Sequence, residues 1–117
     1  MAYTEVDVET VGVDGTLVTK TAADVANGNS FDNDGKCMLL VIKGAGGTGC
    51  TLSFAIPDTG YGDAVTAETV IVPVNTSRVI GKFPVGRFNE LAGDNAGQVL
   101  VDYGGDDTTN VTISPFV

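Results

Sequence analysis

Between residues 34 and 56 the chain leaves one short apolar stretch, crosses a loop that is almost all glycine, and enters a second apolar stretch. No other segment constrains the fold as much. Gly44-Ala45-Gly46-Gly47-Thr48-Gly49 has the G-x-G-x-x-G spacing of a dinucleotide site, and Gly44 to Thr51 follows a phosphate-loop pattern with Cys50 where the lysine belongs. Either motif needs a helix that begins at the loop, so that free N–H groups and the helix dipole face a phosphate. The residues that follow are Thr51-Leu52-Ser53-Phe54-Ala55-Ile56-Pro57, which alternate with period two and stop at a proline, as a strand does. The segment therefore reads as a β-hairpin closed by a glycine turn, and nucleotide binding is not expected.

A turn centred between Gly46 and Gly47 would set Lys43 opposite Cys50, Val41 opposite Leu52, Leu39 opposite Phe54 and Cys37 opposite Ile56. The two cysteines would then lie about 20 Å apart along one face, far beyond the ~7 Å between Cα atoms that a disulfide spans. Two packed thiols are expected. Leu39, Val41, Leu52, Phe54 and Ile56 share one side of this hairpin, while Met38, Leu40 and Ile42 make the other side of the first strand apolar as well. A central strand covered on both faces is the reading that follows.

With 117 residues, the chain has the length of one domain able to bury about 65% of its unfolded surface without a metal or disulfide. Gly 16 is about twice the usual share, and the glycines fall at intervals with no collagen period, as in a fold with many tight turns. Short alternating stretches recur: Val11 to Val13 and Leu17 to Thr19 around Asp14-Gly15, the central hairpin, and Thr69 to Val72 and Arg78 to Lys82 around Pro73 to Ser77. Val99 to Tyr103 and Asn110 to Ser114 follow, around Gly104 to Thr109. About eight strands at this spacing predict an all-β fold, a two-sheet antiparallel sandwich of jelly-roll type. The one helical candidate is Thr21 to Ala26, closed by Asn27-Gly28, and it amounts to one short turn. Residues 1–20 form an N-terminal arm or first hairpin and residues 21–117 the sandwich, within a single domain.

Net charge is -9, and Lys20, Lys36, Lys43, Arg78, Lys82 and Arg87 are the positive residues. Without a basic stripe to neutralise phosphates, binding to nucleic acid is not expected. No apolar run approaches the ~20 residues of a membrane-spanning helix, so no membrane partner is expected either. Met1-Ala2-Tyr3-Thr4-Glu5 lacks the basic and apolar regions of a secretion signal, which points to synthesis in a cytoplasm. Glu5-Val6-Asp7-Val8-Glu9 alternates acids with valines. It reads either as an ordinary first strand or as an extended arm that lays Val6 and Val8 on a neighbouring subunit.

The chemistry of catalysis is sparse. His 0 and Trp 0 remove the commonest general base, the commonest transition-metal ligand and the usual sugar-stacking ring. Asp32 and Asp34 imitate the front of a calcium loop, but its twelfth position is Val41 and a strand begins almost at once. Asp94-Asn95 and Asp106-Asp107 are turn residues first and weak calcium ligands second. Two cysteines make no zinc site, and no serine sits in a G-x-S-x-G elbow. No catalytic residue, metal or cofactor is assigned, and the chain is not expected to be an enzyme.

Taken in order, Ala22-Ala23-Asp24, Gly28-Asn29-Ser30-Phe31, Asn33-Asp34-Gly35-Lys36-Cys37-Met38-Leu39-Leu40-Val41, Val72-Pro73, Arg78-Val79-Ile80-Gly81-Lys82-Phe83-Pro84, Phe88-Asn89 and Val99-Leu100-Val101-Asp102-Tyr103 resemble a family of small proteins of tailed bacteriophages. The family comprises head decoration proteins, also called cement or auxiliary capsid proteins. The similarity runs from about Ala22 to Val117. It implies a structural virion protein, made in the host cytoplasm, that binds the outside of the capsid. Its partner would be the major capsid protein, held often as a homotrimer and without chemistry. Contact residues are then expected in the loops at one end of the sandwich and in the arm, with Val6, Val8, Tyr61, Arg87 and Phe88 as candidates. The alternative is a carbohydrate-binding or adhesive β module on a phage tail or head fibre, which needs exposed coplanar rings from Tyr3, Tyr61, Tyr103 or the phenylalanines.

Overall fold

A computed structural model of the protein describes residues 3–15, 19–56, 67–90, 95–105 and 108–117. In chain order they form β1 (Thr4–Glu5), β2 (Thr21–Ala22), β3 (Asn29–Asp32), β4 (Met38–Lys43), β5 (Gly49–Phe54), β6 (Glu68–Pro73) and β7 (Thr76–Gly81). One helical turn, α1 (Val85–Phe88), precedes β8 (Gln98–Gly104) and β9 (Val111–Phe116). A five-stranded sheet has the order β1-β3-β8-β5-β6, and a four-stranded sheet the order β2-β9-β4-β7. The expected all-β sandwich is thus the observed one.

The two orders are the same list read twice. The pairs β2–β3, β4–β5, β6–β7 and β8–β9 each run from one sheet into the other, and side by side they lie in the order β2–β3, β8–β9, β4–β5, β6–β7 in both. Every contact between neighbouring passes is antiparallel. One four-stranded ribbon folded across its middle gives this topology, which is the eight-stranded jelly roll. β1 is added outside it, parallel to β3.

This topology corrects the expected hairpin. The glycine loop leads into a strand, but β4 and β5 do not pair with each other. Leu39 lies opposite Ile80 and Pro115, and Phe54 opposite Glu68 and Val101. The loop is a corner between sheets that pack ~10 Å apart. Its length fits that task. From Lys43↔Thr76 to Gly49↔Pro73, residues 44–48 cross on one pass while only Val74 and Asn75 cross on the other. The short crossing nests inside the long one, with Val74 N–H donating to Thr48 O at 3.2 Å and Asn75 N–H to Gly44 O at 3.5 Å. Asn75 takes a left-handed φ of 59°, which asparagine tolerates.

The first segment also departs from a hairpin. Val11 to Val13 carries no strand, and Leu17 lies outside the described residues. Instead the arm follows the fold's own edge. Thr4 and Val6 N–H groups donate to Gly28 and Ser30 on the five-stranded sheet; Glu9 and Val11 then bond to Pro115 and Val117 on the four-stranded one. Within the single chain, Thr4–Glu5 pairs as a short first strand. Thr21 to Ala26 likewise starts as β2 and ends in a turn, while the helical turn sits at α1.

The core fills the space between the sheets. Phe83 is its hub, with Phe31 at 5.5 Å, Phe54 at 5.1 Å and Phe88 at 5.4 Å between ring centroids, the first and last packed edge to face. Cys37 and Cys50 are buried free thiols. β4 is central in its sheet, as expected, but its second face is only half-buried.

Candidate docking surface

A jelly roll has two outer faces, and pairing register assigns each residue to one, because directly opposed residues point the same way. The molecule measures 41 × 37 × 22 Å, so these faces dominate its surface. On the five-stranded sheet the outer face shows Asp32 opposite Gln98, Ser30 opposite Leu100, Asp102 opposite Ser53, Ser53 opposite Thr69, and Thr51 opposite Ile71, which is 59% exposed. On the four-stranded sheet it shows Met38 opposite Phe116, Leu40 between Val79 and Ser114, and Ile42 between Ser77 and Thr112. None of these last residues is charged. Val79, on the edge strand, is 59% exposed. The apolar strip ends at β9, where Ser114 Oγ donates to the Glu9 carboxylate at 3.3 Å and the Thr19 N–H donates to it at 2.8 Å.

A second feature lies where the ribbon's last pass leaves the sandwich open. β6 and β7 are both edge strands on the same side. Near the start of β6 and the end of β7 they part around a groove of about 350 Å³. Phe54, Val70, Ile80, Phe83 and Phe88 line it, with Glu68, Lys82 and Arg87 at the rim. α1 holds the rim in place, since Pro84 and Val85 carbonyls accept the Arg87, Phe88 and Asn89 N–H groups. Arg87 donates to the Glu68 carboxylate at 3.2 Å and lies 5.4 Å over the Phe88 ring. Behind it, Asn33 and Asn89 form a buried clasp: Asn33 Nδ2 donates to Phe83 O and Asn89 Oδ1, and Asn89 Nδ2 donates to Asn33 O and Gly97 O.

The glycine corner binds a cation of its own chain. Lys43 is fully buried on the inner face, and its Nζ donates to Gly44 O at 3.1 Å and Gly46 O at 3.0 Å, with Ala45 O at 3.5 Å. The loop thus turns carbonyls inward, the reverse of the N–H cradle that a phosphate loop presents.

The arm is locked by a polar latch at the same end. Asp24 accepts from the Thr4 hydroxyl, from Asn27 N–H and from the Asn27 amide. These bonds, the Thr4 hydroxyl first, hold its carboxyl below the usual range. Buried Asn29 accepts from Tyr103 OH at 2.7 Å and donates to Thr4 O at 3.1 Å. Tyr3 OH donates to Asp102 at 2.8 Å. Burial, then this hydrogen bond, pushes the Tyr3 phenol up to about 12, and burial also raises Tyr103. Gly28 has φ 78°, and a Cβ there would stand 2.6 Å from the Tyr3 ring and 2.7 Å from the Asp102 carboxylate, so any other residue would be strained and would displace the latch.

The expected contact residues are therefore dispersed. Val6 is buried in the core and Val8 is half-buried against it, at the edge opposite β6. Arg87 and Phe88 meet at the groove, the first exposed and the second buried in its floor. Tyr61 lies outside the described residues, as do Asp94, Asp106 and Asp107. Sequence reasoning missed Lys82, Val70 and Ile80, and it took the apolar second face of β4 as covered. Among the described residues, no group of three or more His, Cys, Asp or Glu is placed to hold a metal ion. No helix among them is long and apolar enough to cross a membrane. Comparison with protein-family models, with curated proteins and with solved structures gives no match to the chain.

Proposed function

We propose that this protein is a structural component of a phage particle that binds the outer surface of the capsid and stabilises contacts between major capsid protein subunits. The observation that supports it best is the difference between the outer faces: one carries Asp32 and Asp102, the other an uncharged strip of Met38, Leu40, Ile42 and Val79. A rigid tile with one uncharged, partly apolar side suits adhesion, since apolar area drives association while carboxylates elsewhere keep free copies apart. The resemblance to head decoration proteins points the same way, and fold-level analogy allows it, because jelly rolls serve in capsids as well as in lectins. On this reading the protein is no enzyme, needs no cofactor and attaches as a homotrimer. The sugar-binding alternative draws no support from Phe31, Phe54, Phe83 and Phe88, which are all buried.

The test is binding to purified heads that lack the protein, followed by cryo-electron microscopy and by light scattering of the isolated protein. Leu40→Lys is expected to abolish decoration while the melting temperature stays within a few degrees, because the residue is only half-buried. Decoration unaffected by Leu40→Lys would remove this face from the proposal, and heads that never bind the native protein would end it.

A further inference from the structure

We infer that the groove between β6 and β7 accepts an apolar side chain from an extended, acidic segment of a partner protein. Three observations converge on that chemistry. First, the floor is apolar and aromatic, and at about 350 Å³ the groove sits at the small end of ligand sites, the size for one or two side chains. Second, the open length is short. Arg78 Nη1 donates to Ile71 O at 2.8 Å, bridging the two sheet edges and occupying the backbone acceptor that an added strand would use. A partner is thereby confined to the stretch from Val70 and Ile80 down to α1, where it inserts an anchor and does not extend the sheet. Third, the rim is basic in an acidic protein. Lys82 and Arg87 are two of the chain's six cations, and Glu68 is the one carboxylate among the described residues lining the groove. Arg87 is shared with Glu68, leaving Lys82 beside the opening for a partner carboxylate. Carboxylates on either side of an aliphatic or aromatic side chain match this arrangement of charge. The inference concerns the chemistry of the segment and not its owner, so it stands apart from the capsid reading.

The test titrates the full-length, 15N-labelled protein with an N-acetylated heptapeptide alternating aspartate and leucine, and with the same peptide carrying lysine for aspartate. Expected are amide shifts centred on Val70, Ile80, Lys82 and Phe88 with the acidic peptide, weakened by salt. Exposed Lys82→Glu, with unchanged thermal unfolding as the folding control, is expected to weaken binding about fivefold. Equal binding of both peptides, shifts centred on Leu40 and Val79, or no shifts at millimolar acidic peptide would each overturn the inference. So would an unaltered affinity in Lys82→Glu.

Discussion

Lys43, Asp24 and Tyr3 set the electrostatics at one end of the molecule. Lys43 is a buried ammonium whose bonds to the corner carbonyls oppose the cost of removing it from water. Methionine would fill the same space without that cost but would leave the carbonyls unbonded. Hydrogen bonds to charged groups are the larger effect, so Lys43→Met is expected to lower stability by about 1–3 kcal/mol in urea denaturation. A gain in stability would show that desolvation dominates. The arm latch adds a pH signature. Asp24 has a lowered folded pKa, so its contribution is present above its unfolded value of 3.8 and is lost as pH falls through the lower folded value. Tyr3 behaves inversely: its contribution is complete below 10.0 and is lost as pH rises toward about 12. Protection factors for hydrogen exchange at Thr4 and Val6, corrected for the intrinsic pH dependence of the exchange rate, should accordingly be highest near neutral pH and fall at both extremes. A flat profile would mean that β1 is held without the latch.

At the scale of elements, alternation made most strands legible and left their partners hidden. Period two fixes which residues share a face, yet β4 reads the same whether its neighbour is β5 or β7. What distinguishes a corner from a hairpin is chain length between strands: residues 44–48 exceed the favoured two-residue turn. The apolar second face of β4 misled for a related reason. Sequence shows that Met38, Leu40 and Ile42 are apolar, but not whether another layer covers them. β1 was read among acids and valines, where propensity is silent about parallel pairing with β3. Of the groove, the sequence offers Arg87 and Phe88 as contact candidates, while Val70, Ile80 and Lys82 come from the consecutive β6 and β7 and the residue just beyond, which flank an opening only because the two strands lie in different sheets. Gly49 tests the corner directly. It has φ 153°, and a Cβ there would lie 2.8 Å from Val72 O in the paired strand. Gly49→Ala is expected to cost about 1–2 kcal/mol by forcing β5 and β6 apart, measured by thermal unfolding. A neutral result would mean that the corner yields easily.

For the whole molecule, the folded ribbon places distant parts of the chain side by side. Thr21 pairs with Ile113, and Asn29 with Val101. Non-local pairings of this kind slow folding, so refolding is expected in milliseconds to seconds by stopped-flow fluorescence of the tyrosines. A microsecond phase accounting for all the signal would contradict the topology. The same arrangement bears on synthesis. β8–β9 is the last of the ribbon's passes in the sequence, yet it occupies an interior position in both sheets, wedged between β2–β3 and β4–β5. While the ribosome is still translating, the earlier passes can meet only with a gap between them, and that gap stays open until β8–β9 emerges from the exit tunnel. Nascent chains should thus depend on chaperone shielding until that last pass has emerged.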